Sequence, residues 1–165
     1  MRDPQASTRR RVIARTTHDP AATEALGEAV GRVLAGGDVL LLVGDLGSGK
    51  TTFVRGLARG LGVVFGVKSP TFAIHLRYPG RRVLHHLDLY RLEDARDLEE
   101  LGLDDVLGSE GVAVVEWGER LGDLAPAQAI TLRFEESGPS VRRIVVTGPP
   151  GQVARLAALG GWEEE

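Results

Sequence analysis

The chain has 165 residues, a formal net charge of −3 at pH 7 and a pI of about 5.8, which suits one domain with a sizeable core and argues against this chain alone gripping a nucleic-acid backbone strongly. It has no cysteine, which excludes disulfides, thiolate metal sites and a cysteine nucleophile. No apolar run approaches membrane-spanning length, and no apolar stretch follows Arg9-Arg10-Arg11, so neither a membrane span nor a signal peptide is expected and the default compartment is the cytoplasm.

In chain order, residues 1–10 read as a solvated, disordered tail, and Arg11 to Thr17 as a first strand. His18-Asp19-Pro20 marks a helix start, with Asp19 as N-cap and Pro20 at the first helical position. That helix runs to about Ala35 and stops at Gly36-Gly37. Val39 to Val43 is a continuous apolar run ended by glycine, the pattern of a buried strand, and Thr52 to Leu61 has helical spacing. Thr71 to Tyr78 and Arg82 to Leu89 flank Pro79-Gly80 as a hairpin. Glu93 to Leu101 reads as a short acidic helix ended by Gly102, and Val112 to Val115 as an apolar strand leading into Glu116-Trp117. Ala129 to Glu135 and Val141 to Thr147 alternate around Glu136-Ser137-Gly138-Pro139, a second hairpin. Val153 to Leu159 suggests a closing helix, and 163–165 an acidic, disordered tail. The expectation is one α/β domain over 11–162, with a mixed, mostly parallel sheet and two β-hairpins in a three-layer P-loop NTPase-like fold.

The most specific feature is Gly44-Asp45-Leu46-Gly47-Ser48-Gly49-Lys50-Thr51, which fits G-x-x-x-x-G-K-[ST] between a strand and a helix. Backbone N–H groups at a helix start suit the many acceptor oxygens of a triphosphate, so Leu46, Gly47, Ser48, Gly49, Lys50 and Thr51 are the expected nucleotide contacts. Lys50 can reach the β- and γ-phosphates, and the Thr51 hydroxyl can take a Mg²⁺ position. Of the 20 basic residues only Lys50 and Lys68 are lysine, so the lysine in this loop stands out against an arginine-rich background.

Hydrolysis of ATP needs a carboxylate for the metal, a group to orient water and a loop that senses the γ-phosphate. Glu116 is the best carboxylate, because the end of an apolar strand is the ligand edge of an open α/β sheet; the alternative is an ordinary strand-end acid. Asp88 also ends a strand, and period two puts it on one face with His86. That pair could bind a transition metal by itself, or a packing histidine can stand beside a functional or surface acid. Ser69 and Thr71 flank Pro70 in a stiffened loop that is either a sensor or a plain turn. Trp117 alone reads as core or interface.

These pieces, in this order, resemble the bacterial TsaE (YjeE) family. The matching residues are the glycine loop through Thr52-Phe53; Val67-Lys68-Ser69-Pro70-Thr71-Phe72; His86-Leu87-Asp88-Leu89-Tyr90-Arg91-Leu92; and Val115-Glu116-Trp117-Gly118-Glu119-Arg120. The resemblance covers about Asp19 to Arg120, and Ser48 stands where the family commonly has alanine. It implies an ATPase needed for threonylcarbamoyl modification of adenosine 37 in tRNA. Lys50 and Thr51 then serve phosphates and Mg²⁺, and Glu116 is the second Mg²⁺ ligand. Asp88 is an acid required for hydrolysis, with Lys50, Asp88 and Glu116 forming the catalytic set. Ser69 and Thr71 form a nucleotide-responsive switch, and adenine contacts fall near Thr16 to Pro20. The implied partners are TsaD and TsaB, with tRNA held by the assembly.

Two other function classes fit the loop. A P-loop kinase for a small metabolite needs an acceptor pocket and usually a mobile lid, and no long insertion of that kind is present. A nucleotide-gated binding module needs ATP binding but not hydrolysis.

Overall fold

Val39–Val43 forms strand β2, and both of its faces are buried: Leu40 and Leu42 pack into one apolar cluster, Val39 and Leu41 into another. That is why the run is continuous rather than alternating. The computed structural model describes residues 9–64, 75–92, 95–108 and 110–165.

The strands are β1 (Arg11–Thr17), β2, β3 (His75–Tyr78), β4 (Leu84–Asp88), β5 (Val112–Glu116), β6 (Ile130–Gly138), β7 (Val141–Gly148) and β8 (Glu163–Glu164). They form one sheet in the order β3-β4-β5-β2-β6-β7-β1-β8. Helices α1 (Pro20–Val33), α2 (Lys50–Gly60) and α5 (Pro150–Ala157) cover one face. The short helices α3 (Ala95–Glu100) and α4 (Leu103–Leu107) and a 3₁₀ segment (Gly118–Leu124) cover the other. This is the expected three-layer, P-loop NTPase-like α/β fold with two hairpins. Among the described residues the parallel pairings, β4–β5, β5–β2 and β2–β6, occupy the centre. The other four pairings are antiparallel, so parallel pairings are not the majority that the sequence predicts. The N-terminal strand β1 adds itself to β7 and the C-terminal strand β8 to β1, long-range choices that the local strand–helix alternation does not encode.

Most boundaries fall within two residues of expectation. Asp19 caps α1 by accepting from the Ala22 N–H at 2.7 Å, with Pro20 next to it. Residues 71–74 of the expected first hairpin strand lie outside the described residues, as does the stretch 1–8 of the expected tail. The segments α4 and Gly118–Leu124 escape the sequence pattern because each is one or two turns long. Gly102, which reads as a helix terminator, is the left-handed N-cap of α4, with φ 62°. Residues 163–165, predicted to be a disordered acidic tail, are instead ordered: Glu163 and Glu164 pair with Ala14 and Ile13. Ion pairs of Glu164 with Arg11 and of Glu165 with Arg143 hold this edge, so charge complementarity makes a strand too short to show a period.

Helices α1 and α2 touch backbone to backbone. A Cβ on Gly27 would stand 2.1 Å from the Phe53 carbonyl oxygen, and one on Gly56 1.8 Å from that of Glu24. Gly31 and Gly60, four residues on in each helix, make the same approach. The contact seats α2 against α1 and so fixes the helix whose first turn carries Lys50 and Thr51. No helix among the described residues is long and apolar enough to cross a membrane.

Candidate nucleotide and metal site

Parallel strands end together. The register pairs Leu42 with Glu116 and Asp88 with Glu116, so β2, β4 and β5 bring the start of the glycine loop and both acids to one sheet edge. The chain leaves β2, runs through Gly44 to Gly49 and enters α2. Gly49 takes the left-handed conformation at φ 102°, which a side chain would strain, and is the N-cap of α2. Having no side chain, it leaves the first N–H groups of α2 free of a side-chain cap, the arrangement that suits an anion.

Lys50 is buried at 5% exposure; its ammonium donates to the Gly44 carbonyl and lies 4.1 Å above the Trp117 ring. Burial lowers its pKa, and the charges of Glu116, Glu119, Asp88 and Asp45 oppose that shift. Trp117 reaches the loop because its backbone is left-handed, φ 58°, directly after β5. Its ring also meets Tyr90, with centroids 5.1 Å apart, and the Arg120 guanidinium at 5.6 Å.

The Thr51 hydroxyl donates to Glu116 Oε1 at 3.2 Å. Glu116 is 3% exposed, and its Oε2 lies 2.6 Å from His86 Nε2. Asp88 is next to it across the β4–β5 ladder and accepts the Tyr90 N–H at 3.0 Å. Burial is the main cause that raises the Asp88 pKa; the Tyr90 hydrogen bond opposes it, and the Glu116 charge adds to it.

The expected residues Lys50, Thr51, Asp88 and Glu116 therefore converge. Gly47, Ser48 and Gly49 lie in the same loop, and Leu46 is exposed at its tip. Ser69 and Thr71 lie outside the described residues. Sequence reasoning grouped His86 with Asp88, whereas the structure turns its Nε2 to Glu116. It also missed Arg142 on β7, whose guanidinium donates to the carbonyls of Ser48 and Gly47 at 3.0 and 3.1 Å. The side-by-side placement of Trp117 and Lys50 was missed as well. For His86 the period-two pattern was the available signal; Arg142 lies 94 residues from Ser48 and has none.

Chemically, a buried carboxylate sharing a hydroxyl, both oxygen donors, can hold a hard cation such as Mg²⁺. The Gly49–Lys50 helix start and the Lys50 ammonium can hold phosphate oxygens. Among the described residues no group of three or more histidine, aspartate and glutamate side chains can hold a metal, which leaves the transition-metal alternative at His86 and Asp88 without a third such ligand.

Residues 17–144 match the model of the family described as "Threonylcarbamoyl adenosine biosynthesis protein TsaE". Two relatives are each named "tRNA threonylcarbamoyladenosine biosynthesis protein TsaE". That of Treponema pallidum (strain Nichols) is 39% identical over 136 residues, 82% of this chain and 98% of the relative. That of Bacillus subtilis (strain 168) is 40% identical over 132 residues, 79% of this chain and 82% of the relative. The crystal structure of Bacillus subtilis YdiB is similar with a TM-score of 0.75 at 30% identity, covering 92% of this chain and 95% of that one. The matched stretch contains the glycine loop, both strand-end acids, His86 and Arg142, and on that footing the chain belongs to the TsaE family.

Proposed function

We propose that the chain is a Mg²⁺-dependent ATPase required for threonylcarbamoyl modification of adenosine 37 in tRNA, acting in the cytoplasm on a TsaD–TsaB complex that holds the tRNA. The observation that carries the reading is the convergence of Lys50, Thr51 and Glu116 where the glycine loop enters α2. The names of relatives near 40% identity support the pathway.

In this reading Lys50 leaves the Gly44 carbonyl for the β- and γ-phosphate oxygens. The N–H groups at the start of α2 take the remaining phosphate charge. Thr51 and Glu116 hold the metal, which when bound neutralises charge that develops on the phosphate oxygens. Asp88 orients the attacking water, and Ser69 and Thr71 report the γ-phosphate. Hydrolysis then resets the partner complex between modification cycles.

The test is reconstitution of tRNA modification from purified TsaD, TsaB, tRNA and the threonylcarbamoyl donor, with and without this chain. The reading requires multiple turnover only with the chain and ATP, and ATP hydrolysis without any small-molecule acceptor. Dependence on such an acceptor favours a kinase, and full support by a variant that binds but does not hydrolyse ATP favours a binding module.

A further inference from the structure

We propose that His86 is a positioning residue for the metal-binding carboxylate, holding Glu116 through Nε2 so that Oε1 faces Thr51. The inference rests on the reading above, that Thr51 and Glu116 hold the divalent cation.

His86 is wholly buried, at 0% exposure, on the face of β4 that it shares with Leu84, toward the core cluster that includes the apolar residues of α1 and α2. The β4–β5 register sets it beside Val114, one pleat before Glu116, so its ring reaches along the strand direction to Glu116 Oε2 at 2.6 Å. Glu116 Oε1 accepts from Thr51 instead. Each carboxylate oxygen thus has its own partner, and the plane of the carboxylate is set. The terminal torsion of a glutamate is broad, so without the ring it samples a wide range of orientations.

A carboxylate accepts, so His86 Nε2 is the donor. The other ring nitrogen, Nδ1, is buried with no hydrogen-bond partner among the described residues. An N–H there has nothing among the described residues to receive it, whereas one on Nε2 has the Glu116 carboxylate, so the hydrogen-bond pattern puts the proton on Nε2. A ring used only as filler has no reason to be polar in this position, where leucine fills similar space. Partners of this kind, behind a ligating side chain, typically change metal affinity by 10–100-fold when removed.

The experiment measures Mg²⁺ affinity of the ADP complex by calorimetry, and Mn²⁺ affinity by electron paramagnetic resonance, for wild type, His86→Leu, His86→Gln and Glu116→Ala. Nucleotide affinity in EDTA is measured alongside. The expected result is a metal affinity about 10–100-fold weaker in His86→Leu, with metal-free ADP affinity unchanged. His86→Gln, whose amide nitrogen can donate from the same place, recovers most of the loss. Long-range ¹⁵N–¹H spectra of wild type show the His86 proton on Nε2. Wild-type metal affinity in His86→Leu, a glutamine variant as weak as the leucine one, or a proton on Nδ1 overturns the proposal. Should His86→Leu not fold, His86→Asn, whose amide falls short of Oε2, carries the same expectation. If Glu116→Ala itself leaves metal affinity unchanged, the metal reading falls and this proposal with it. If Glu116→Ala weakens the metal and His86→Leu does not, only this proposal falls.

Discussion

Arg142 holds the glycine loop from outside: its Nε donates to the Ser48 carbonyl at 3.0 Å, across 94 residues of sequence. A second guanidinium nitrogen donates to the Gly47 carbonyl at 3.1 Å. Carbonyls held outward turn the intervening peptide planes, which aims the Gly49 N–H away from Arg142. The rigid, forked guanidinium suits two adjacent carbonyls as a lysine ammonium does not.

On the proposed reading, Arg142→Lys weakens ATP binding nearly as much as Arg142→Ala. Each loses on the order of 1–3 kcal/mol of stability from hydrogen bonds to a charged donor. Nucleotide affinity and urea unfolding of the two variants check this. Wild-type affinity in either variant rules out a role in shaping the loop.

The α1–α2 crossing makes a sharper stability prediction. A methyl group at Gly56 would meet the Glu24 carbonyl oxygen at 1.8 Å, a backbone atom that cannot swing aside. Gly56→Ala forces the helices apart and destabilises by about 1–3 kcal/mol or more, despite the better helix propensity of alanine. A Cβ at Gly151, in the first turn of α5, meets nothing within 4 Å, so Gly151→Ala is neutral or stabilises by up to about 1 kcal/mol. Urea midpoints of the two variants should move in opposite directions, or only the first should move.

Acid should weaken the fold through a second histidine pair. His75 Nε2 and His85 Nδ1 lie 3.0 Å apart on β3 and β4, so one donates and the other accepts. Burial is the largest cause lowering both pKa values from 6.5; the charge on Arg77 adds to each, that on His86 adds to His75, and that on His75 adds to His85. As pH falls through 6.5 the unfolded chain takes up protons that the folded pair refuses, so stability falls toward acid and is regained as pH rises. His85→Gln removes one titrating partner and flattens that slope. Unfolding midpoints between pH 7.5 and 5.5 measure it, and an unchanged slope in the variant rules the pair out as its source.

What was legible in the sequence was local. Asp19-Pro20 announces its helix, the apolar runs at β2 and β5 announce buried strands, and the loop from Gly44 to Thr51 carries its chemistry within eight residues. The two strand-end acids follow from where apolar runs stop. Less legible were relations set only by the fold: Arg142 against Gly47, the aim of His86 at Glu116 rather than toward Asp88, and the edge strand at Glu163–Glu164. The glycine pairs Gly27/Gly31 and Gly56/Gly60 were visible at helical spacing, but in a chain with 22 glycines that spacing means little until two helices are seen to cross.

Lys50 has two close contacts for which phosphate oxygens would compete. The ammonium is bound to the Gly44 carbonyl and lies over Trp117, 4.1 Å from the ring centre. Phosphate oxygens carry full negative charge, so they draw the ammonium from both a neutral carbonyl and an aromatic face. On the proposed reading, nucleotide binding removes a cation from beside the indole and changes its emission. Trp162 is the other tryptophan, so Trp162→Phe leaves Trp117 as the single reporter. In that background ATP should shift the emission, and adding Lys50→Ala should abolish most of the shift. Lys50→Ala should also lower ATP turnover by about 10²–10³-fold, the scale for loss of one preorganised group that stabilises developing charge. Circular dichroism should be unchanged, since alanine is a strong helix former at the start of α2. Wild-type turnover in Lys50→Ala sinks the nucleotide-site assignment; lost turnover with an intact emission shift sinks only the movement of Lys50 away from Trp117.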